Sequence, residues 1–150
     1  MEYIEMREQS DIELLMKKFN YFHDSCIKEL KYCSGGYVDE DGSMYPFNSS
    51  RCVEMICQSQ NAAIRVIEIK FERVHQLNLV PRDENYDCVI HGASLKKIDE
   101  LYYWSEWENL NAEDLERGGG TWISAERVSW RSLNDAFGSK KIYNKLEKLQ

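Results

Sequence analysis

Ala62-Ala63-Ile64-Arg65-Val66-Ile67-Glu68-Ile69-Lys70-Phe71-Glu72-Arg73-Val74-His75 is the stretch on which the fold turns. Ile67, Ile69 and Phe71 alternate with Glu68, Lys70 and Glu72, the period of a strand with one buried and one wet face. Pro81-Arg82-Asp83-Glu84-Asn85 ends the run. Working back, Arg51–Ser59 reads as a preceding strand, joined through Ser59-Gln60-Asn61, and Cys26–Cys33 as the first, closed by Gly35-Gly36. Between those two, Asp39-Glu40-Asp41-Gly42 is a turn, because Asp-Gly suits a reversal with positive φ. Working forward, Cys88–Leu95 and Leu101–Trp107 form an expected strand pair, with Lys96-Lys97-Ile98-Asp99 a poor hairpin turn by composition. Trp122–Leu133 is the last of six strands.

Helices are expected at the two ends. Ser10-Asp11-Ile12-Glu13 has the form of a capping box, and Ile12, Leu15, Met16 and Phe19 follow at helical spacing, which predicts a helix over 9–20. From Ser139 onward Ile142, Leu146 and Leu149 share one helical stripe. A short helix after Asn111 is expected too, with Glu113 and Asp114 in its first turn and Gly118 as its stop. No βα alternation suggests a parallel sheet. The expected fold class is therefore α+β: one domain over residues 1–150, predominantly a curved antiparallel sheet, in the form of a small sandwich or open barrel.

Composition bounds the function. Hydrophobic residues make up 43% of the 150 and charged residues 30%, with ten Gly and Pro together, so the chain can bury a core and is not low-complexity. No apolar run is long enough to cross a bilayer, and Met1-Glu2-Tyr3-Ile4-Glu5 lacks the basic-then-apolar pattern of a secretory signal. A cytoplasmic location without membrane association is the expectation. Five cysteines at irregular spacing (Cys26, Cys33, Cys52, Cys57, Cys88) read as free thiols, not a disulfide framework. The net charge of −7 repels phosphate backbones, so nucleic acid is not an expected partner.

The familiar catalytic and ligand motifs fail one after another. Cys88-Val89-Ile90-His91 has ligands three apart, which a strand points to opposite faces; His23-Asp24-Ser25-Cys26 sits at a helix-to-strand junction where that argument is weaker. His91-Gly92-Ala93-Ser94 matches no catalytic signature, and a Cys26–His23 or Cys88–His75 dyad has none to support it. Gly118-Gly119-Gly120 leads into a strand, the wrong order for a phosphate cradle, and Asp39-x-Asp41-Gly42 lacks the Glu that a calcium loop carries six residues after its glycine, position 48 being Asn. No cofactor, no metal and no enzymatic activity are expected.

One segment stands apart. Between Asp99 and Glu116 lie seven acids and no Lys or Arg, which leaves the rest of the chain neutral at 19 acids against 19 bases. Asp99, Glu100, Glu106, Glu108, Glu113, Asp114 and Glu116 are interleaved with Tyr102, Tyr103, Trp104 and Trp107. On a strand Tyr102, Trp104 and Glu106 share a face. Carboxylates steer a cationic partner while aromatics supply desolvated contact area, so Asp99, Glu100, Tyr102, Trp104, Glu106, Trp107, Glu108, Glu113, Asp114 and Glu116 form the candidate surface for a basic protein. The opposing reading makes the aromatics core and the acids a solvated face.

Phe22-His23-Asp24-Ser25-Cys26-Ile27, leading into the first strand, resembles the opening of small bacterial immunity proteins, the antidotes encoded beside polymorphic toxins. Ala125-Glu126-Arg127-Val128-Ser129-Trp130-Arg131 resembles the last strand of such domains. About 13 of 150 residues carry the likeness, and neither motif is catalytic. The resemblance implies a non-enzymatic protein that binds and blocks a cognate toxin. Two other readings stay open: a curved-sheet domain with a small-molecule pocket, with His91 or Tyr103 orienting the ligand, and a module that pairs with a second copy as a homodimer.

Overall fold

Alternation in residues 62–75 becomes the longest strand. The computed structural model describes residues 2–109, 111, 113, 115, 120–133 and 136–143. Its elements run β1 (Ile4–Glu5), α1 (Gln9–Lys18), β2 (Ser25–Cys33), β3 (Tyr37–Val38), β4 (Met44–Tyr45), β5 (Cys52–Ser59), β6 (Val66–Asn78), β7 (Ser94–Ile98), β8 (Leu101–Ser105) and β9 (Trp122–Ser132). The main sheet is antiparallel throughout, in the order β2-β5-β6-β9-β8-β7. β1 lies along the same edge of β9 as β8: β8 pairs with Trp122–Ala125, and β1 with Ser129 and Trp130. β3 and β4 form a separate hairpin.

One face of this sheet is apolar, carrying Met55, Ile67, Ile69, Phe71, Ile123, Val128 and Trp130. α1 covers that face with Ile12, Leu15 and Met16, and Phe19 follows them into the same cluster. Each such side chain contributes about 1.5–3 kcal/mol on full burial. The core therefore forms between helix and sheet. That removes the need for the sheet to close on itself, and the sandwich or barrel expected from the sequence is replaced by an open path that is not curled. A single bridge, Ser25 with Ile90, links the edge strand β2 to the segment before β7.

Several boundaries move for physical reasons. α1 starts at Gln9 as expected and ends at Lys18, but its capping box is Glu8 with Asp11 and not Ser10 with Glu13: the Asp11 carboxylate accepts the N–H of both Arg7 and Glu8 at 2.9 Å. The expected strand Cys88–Leu95 begins only at Ser94 and runs on through Lys96 and Lys97. The reversal is the two-residue Asp99-Glu100, with Asp99 at φ +56°, since Ile98 pairs with Leu101. β8 ends at Ser105, so Glu106 and Trp107 leave the strand. Between α1 and β2 the chain makes a left-handed turn, Asn20, Tyr21 and Phe22 all having φ between 52° and 62°. In β6, Arg73 at φ +54° resets the alternation, so that Val74 is buried after Phe71; its guanidinium meets Glu126 at 3.0 Å.

On the other face Ile56 and Val66 pack with Ile142 and Tyr143. The expected C-terminal stripe thus places Ile142 against the sheet, whereas Leu146 and Leu149 lie outside the described residues. Beside that patch Glu68 is fully buried, accepting hydrogen bonds from the Tyr3 hydroxyl and from Arg131 Nε at 2.8 Å. No described helix is long and apolar enough to cross a membrane.

Candidate functional site

Past Ser105 the chain bends, and the side chains of Ser94 and Ser105 and the backbone of Thr121 hold it. Glu106 N–H donates to Thr121 O at 3.1 Å, and Ser94 Oγ donates to Trp107 O at 2.6 Å. Ser105 Oγ accepts the N–H of Trp107 at 3.3 Å. The bend is thereby tied to the residues immediately preceding β9 and to the start of β7. It closes one side of a cleft of about 430 Å³, with Glu106, Trp107 and Glu108 facing Arg82, His91 and the backbones of Gly92 and Gly120.

The two glycines decide how tightly these side chains pack. A Cβ on Gly92 would stand 2.6–2.7 Å from Cγ and Cδ of Glu108. One on Gly120 would stand 2.8 Å from Glu106 Oε1 and 3.0 Å from the Trp107 ring. Both carboxylates and the indole therefore lie on bare backbone that any larger residue would cover.

Across the cleft, Arg82 is anchored by its own loop. Its Nη1 donates to Val89 O at 2.8 Å and to Asp87 O at 3.3 Å, with the Asp87 carboxylate 3.7 Å away. His91 has an exposed side chain and its carbonyl accepts from His23 Nδ1 at 2.7 Å, which fixes the proton of His23 on that nitrogen. The lining thus carries two carboxylates against one guanidinium, with an indole between the acids. Such a surface accepts a cationic, partly apolar group: the carboxylates pair with the charge and the ring face receives it.

The ten candidate residues read from the sequence do not make one surface. Glu106, Trp107 and Glu108 come together at the cleft. Asp99 and Glu100 are exposed at the opposite end of β8, about 17 Å away for a five-residue strand. Tyr102 and Trp104 are buried in the core and present no side chain to a partner; the Tyr102 hydroxyl donates to Met6 O at 3.0 Å, and Trp104 packs edge-on against Phe22 at 5.6 Å. Glu113 is exposed, its N–H bound to Asn111 Oδ1 at 3.0 Å as expected of a capping Asn. Asp114 and Glu116 lie outside the described residues, as does most of the helix expected there. Arg82, Gly92 and Gly120 were not among the candidates. No local pattern marks them, since they reach the cleft only through the sheet order.

Among the described residues no cluster of three or more His, Cys, Asp or Glu side chains is arranged to hold a metal ion. A second depression, about 490 Å³, lies between β2, β5, β6 and β9 and includes Lys31, Lys70, Arg73 and Arg127 with Glu54 and Glu72. Comparison with protein-family models, with curated proteins and with solved structures finds no match.

Proposed function

We propose that this chain is a non-enzymatic binding protein of the immunity type, acting in the cytoplasm to block a basic toxin domain. The observation that carries the reading is the cleft in which Glu106 and Glu108 flank Trp107 on the bare backbone of Gly92 and Gly120. A Lys or Arg side chain projecting from the toxin would enter between the carboxylates and lie on the indole. The uneven charge of the chain supports electrostatic steering of a cationic partner.

Growth rescue tests the proposal. Co-expression with the toxin domain encoded beside its gene should restore growth, and the Glu106→Lys/Glu108→Lys variant should lose the rescue. The purified pair should show about tenfold or greater loss of affinity, larger at low salt, because the charges act chiefly on association. Rescue that survives the double reversal removes the cleft from the interface. Absence of any rescue removes the immunity reading.

The cleft also favours a second reading, because 430 Å³ is within the range of small-molecule sites, about 300–1,000 Å³. A cationic metabolite would use the same three side chains. It would raise the melting temperature of the wild-type chain and not of the double variant.

A further inference from the structure

Cys33 closes β2 and Cys52 opens β5, and the two face each other across the ladder. Directly opposed residues of an antiparallel pair have Cα atoms about 4.5–5.5 Å apart. That is inside the span of about 4.4–6.8 Å that a disulfide bridges. Both cysteines border the same 490 Å³ depression, so their side chains leave the sheet on one face. Both are free thiols, Cys33 exposed and Cys52 half-buried.

From this juxtaposition we propose that Cys33 and Cys52 are a reversible modification site: a cross-strand thiol pair that a disulfide oxidant of the glutathione type closes and free thiols reopen. The exposed Cys33 loses its proton to solvent, and its sulfur attacks one sulfur of glutathione disulfide. One glutathione leaves as thiolate and takes up a proton. Cys52 then gives its proton to solvent and attacks the Cys33 sulfur of the mixed disulfide, releasing the second glutathione. Two protein thiols are oxidised and one glutathione disulfide is reduced to two thiols.

Burial, followed by the nearby Glu54 carboxylate, pushes the Cys52 thiol up to about 11, so the exposed Cys33 attacks first and Cys52 second. Lys31 and Lys70 border the depression and favour the thiolates as they form.

The other cysteines lack this arrangement. Cys57 is fully buried, and Cys26 faces Gln58 across the ladder. Cys26 does lie beside Cys88, but Cys88 belongs to no strand and the two are not register partners. They serve as the internal comparison.

The location gives the bond its consequence. Cys33 and Cys52 form the neck of the excursion 34–51, which carries the β3–β4 hairpin and exposes Tyr37, Val38, Met44 and Phe47. Linking the neck ties the ends of β2 and β5 together and restrains that apolar loop.

The test exposes the purified full chain to excess glutathione disulfide, blocks remaining thiols with N-ethylmaleimide, and maps the peptides. The expected product has lost two hydrogen masses and contains one linked pair, Cys33 with Cys52, which added reduced glutathione reverses. Limited proteolysis within 34–51 should then be several-fold slower than in the reduced chain. Cys33→Ser should lose the link while Cys26 and Cys88 are blocked as in wild type. Cys33 and Cys52 recovered blocked by maleimide, each carrying glutathione, or a link joining Cys26 to Cys88 alone, would overturn the proposal. Unchanged proteolysis of a fully linked chain would overturn the restraint. The mapping is done on wild type, so it does not depend on any variant folding.

Discussion

Trp104 shows how much a single aromatic depends on where its strand ends. It is fully buried against Phe22, and its indole N–H finds no acceptor among the described residues. Trp104→Ala should cost roughly 3–5 kcal/mol in urea unfolding, the range for large aromatics cut to alanine. Trp104→Phe should cost far less, since it keeps most of the ring and deletes a buried, unpaired donor. Equal losses for the two would mean that the indole N–H is satisfied. At the cleft, two glycine substitutions separate two kinds of neighbour. Gly92→Ala meets the exposed, flexible Glu108 carboxylate, which can swing away, so its cost should stay below about 1 kcal/mol. Gly120→Ala meets the half-buried Trp107 ring as well as Glu106, and should destabilise more, by about 1–3 kcal/mol, because the ring has less room to yield. Thermal melts of the two variants would show the order.

Among the elements, β6 was legible in the sequence because Ile67, Ile69 and Phe71 alternate with charged residues, and β9 because Val128 and Trp130 do the same beside Arg127 and Arg131; the two form a long pairing. β1 was not legible: two residues cannot display a period, and what holds it is its pairing with β9, with Tyr3 just before it covering Glu68. β7 was misplaced because Lys96 and Lys97 resemble a turn. They lie on an edge strand, where lysines deter pairing with another chain, and Lys97 also sits 5.4 Å above the Tyr102 ring. In the candidate site the acids and Trp107 could be read because they are neighbours in sequence. Arg82, His91 and the glycines could not be placed with them before the order β9-β8-β7 was known.

The buried Glu68 depends on the groups packed against it. Arg131→Met would leave a fully buried carboxylate without its cation and should cost roughly 3–5 kcal/mol; Glu68→Gln leaves only the partly exposed Arg131 and should cost less. Tyr3 and Tyr143 have hydroxyl pKa values raised above the ordinary 10, by burial first and then by Glu68. Both therefore hold their protons in the folded chain where the unfolded chain releases them. Their contribution to stability is complete below about pH 10 and is lost as the pH climbs from there toward the folded values. Denaturant midpoints should fall above pH 10, and tyrosinate absorbance should lag until unfolding; a Tyr3→Phe/Tyr143→Phe variant should show a shallower decline.

For the whole molecule, the charge of −7 is concentrated in one segment of the sequence, Asp99–Glu116, but the acids of that segment that the structure describes are divided in space. Asp99 and Glu100 stand a strand's length from Glu106 and Glu108. Reversal of Asp99 and Glu100 to lysine should therefore leave contact-dependent affinity for a cationic partner nearly unchanged and lower only the association rate, an effect that disappears above about 0.15 M salt. If it instead speeds dissociation as much as reversal at the cleft does, the interface spans the length of β8. Stopped-flow binding at two salt concentrations would decide.

The placement of β9 has a consequence for synthesis on the ribosome. This strand is the neighbour of β6 on one side and of both β8 and β1 on the other, yet it spans Trp122–Ser132. The meander β2-β5-β6 can pair as it leaves the exit tunnel, whereas β1, made first, waits for a partner made last. A nascent chain arrested before Trp122 would carry β6 with one unsatisfied edge and an unpaired β7–β8 hairpin, a state that invites association between chains on a polysome. Rare codons just upstream of β9 should lower the soluble yield, and the same codons placed after it should not.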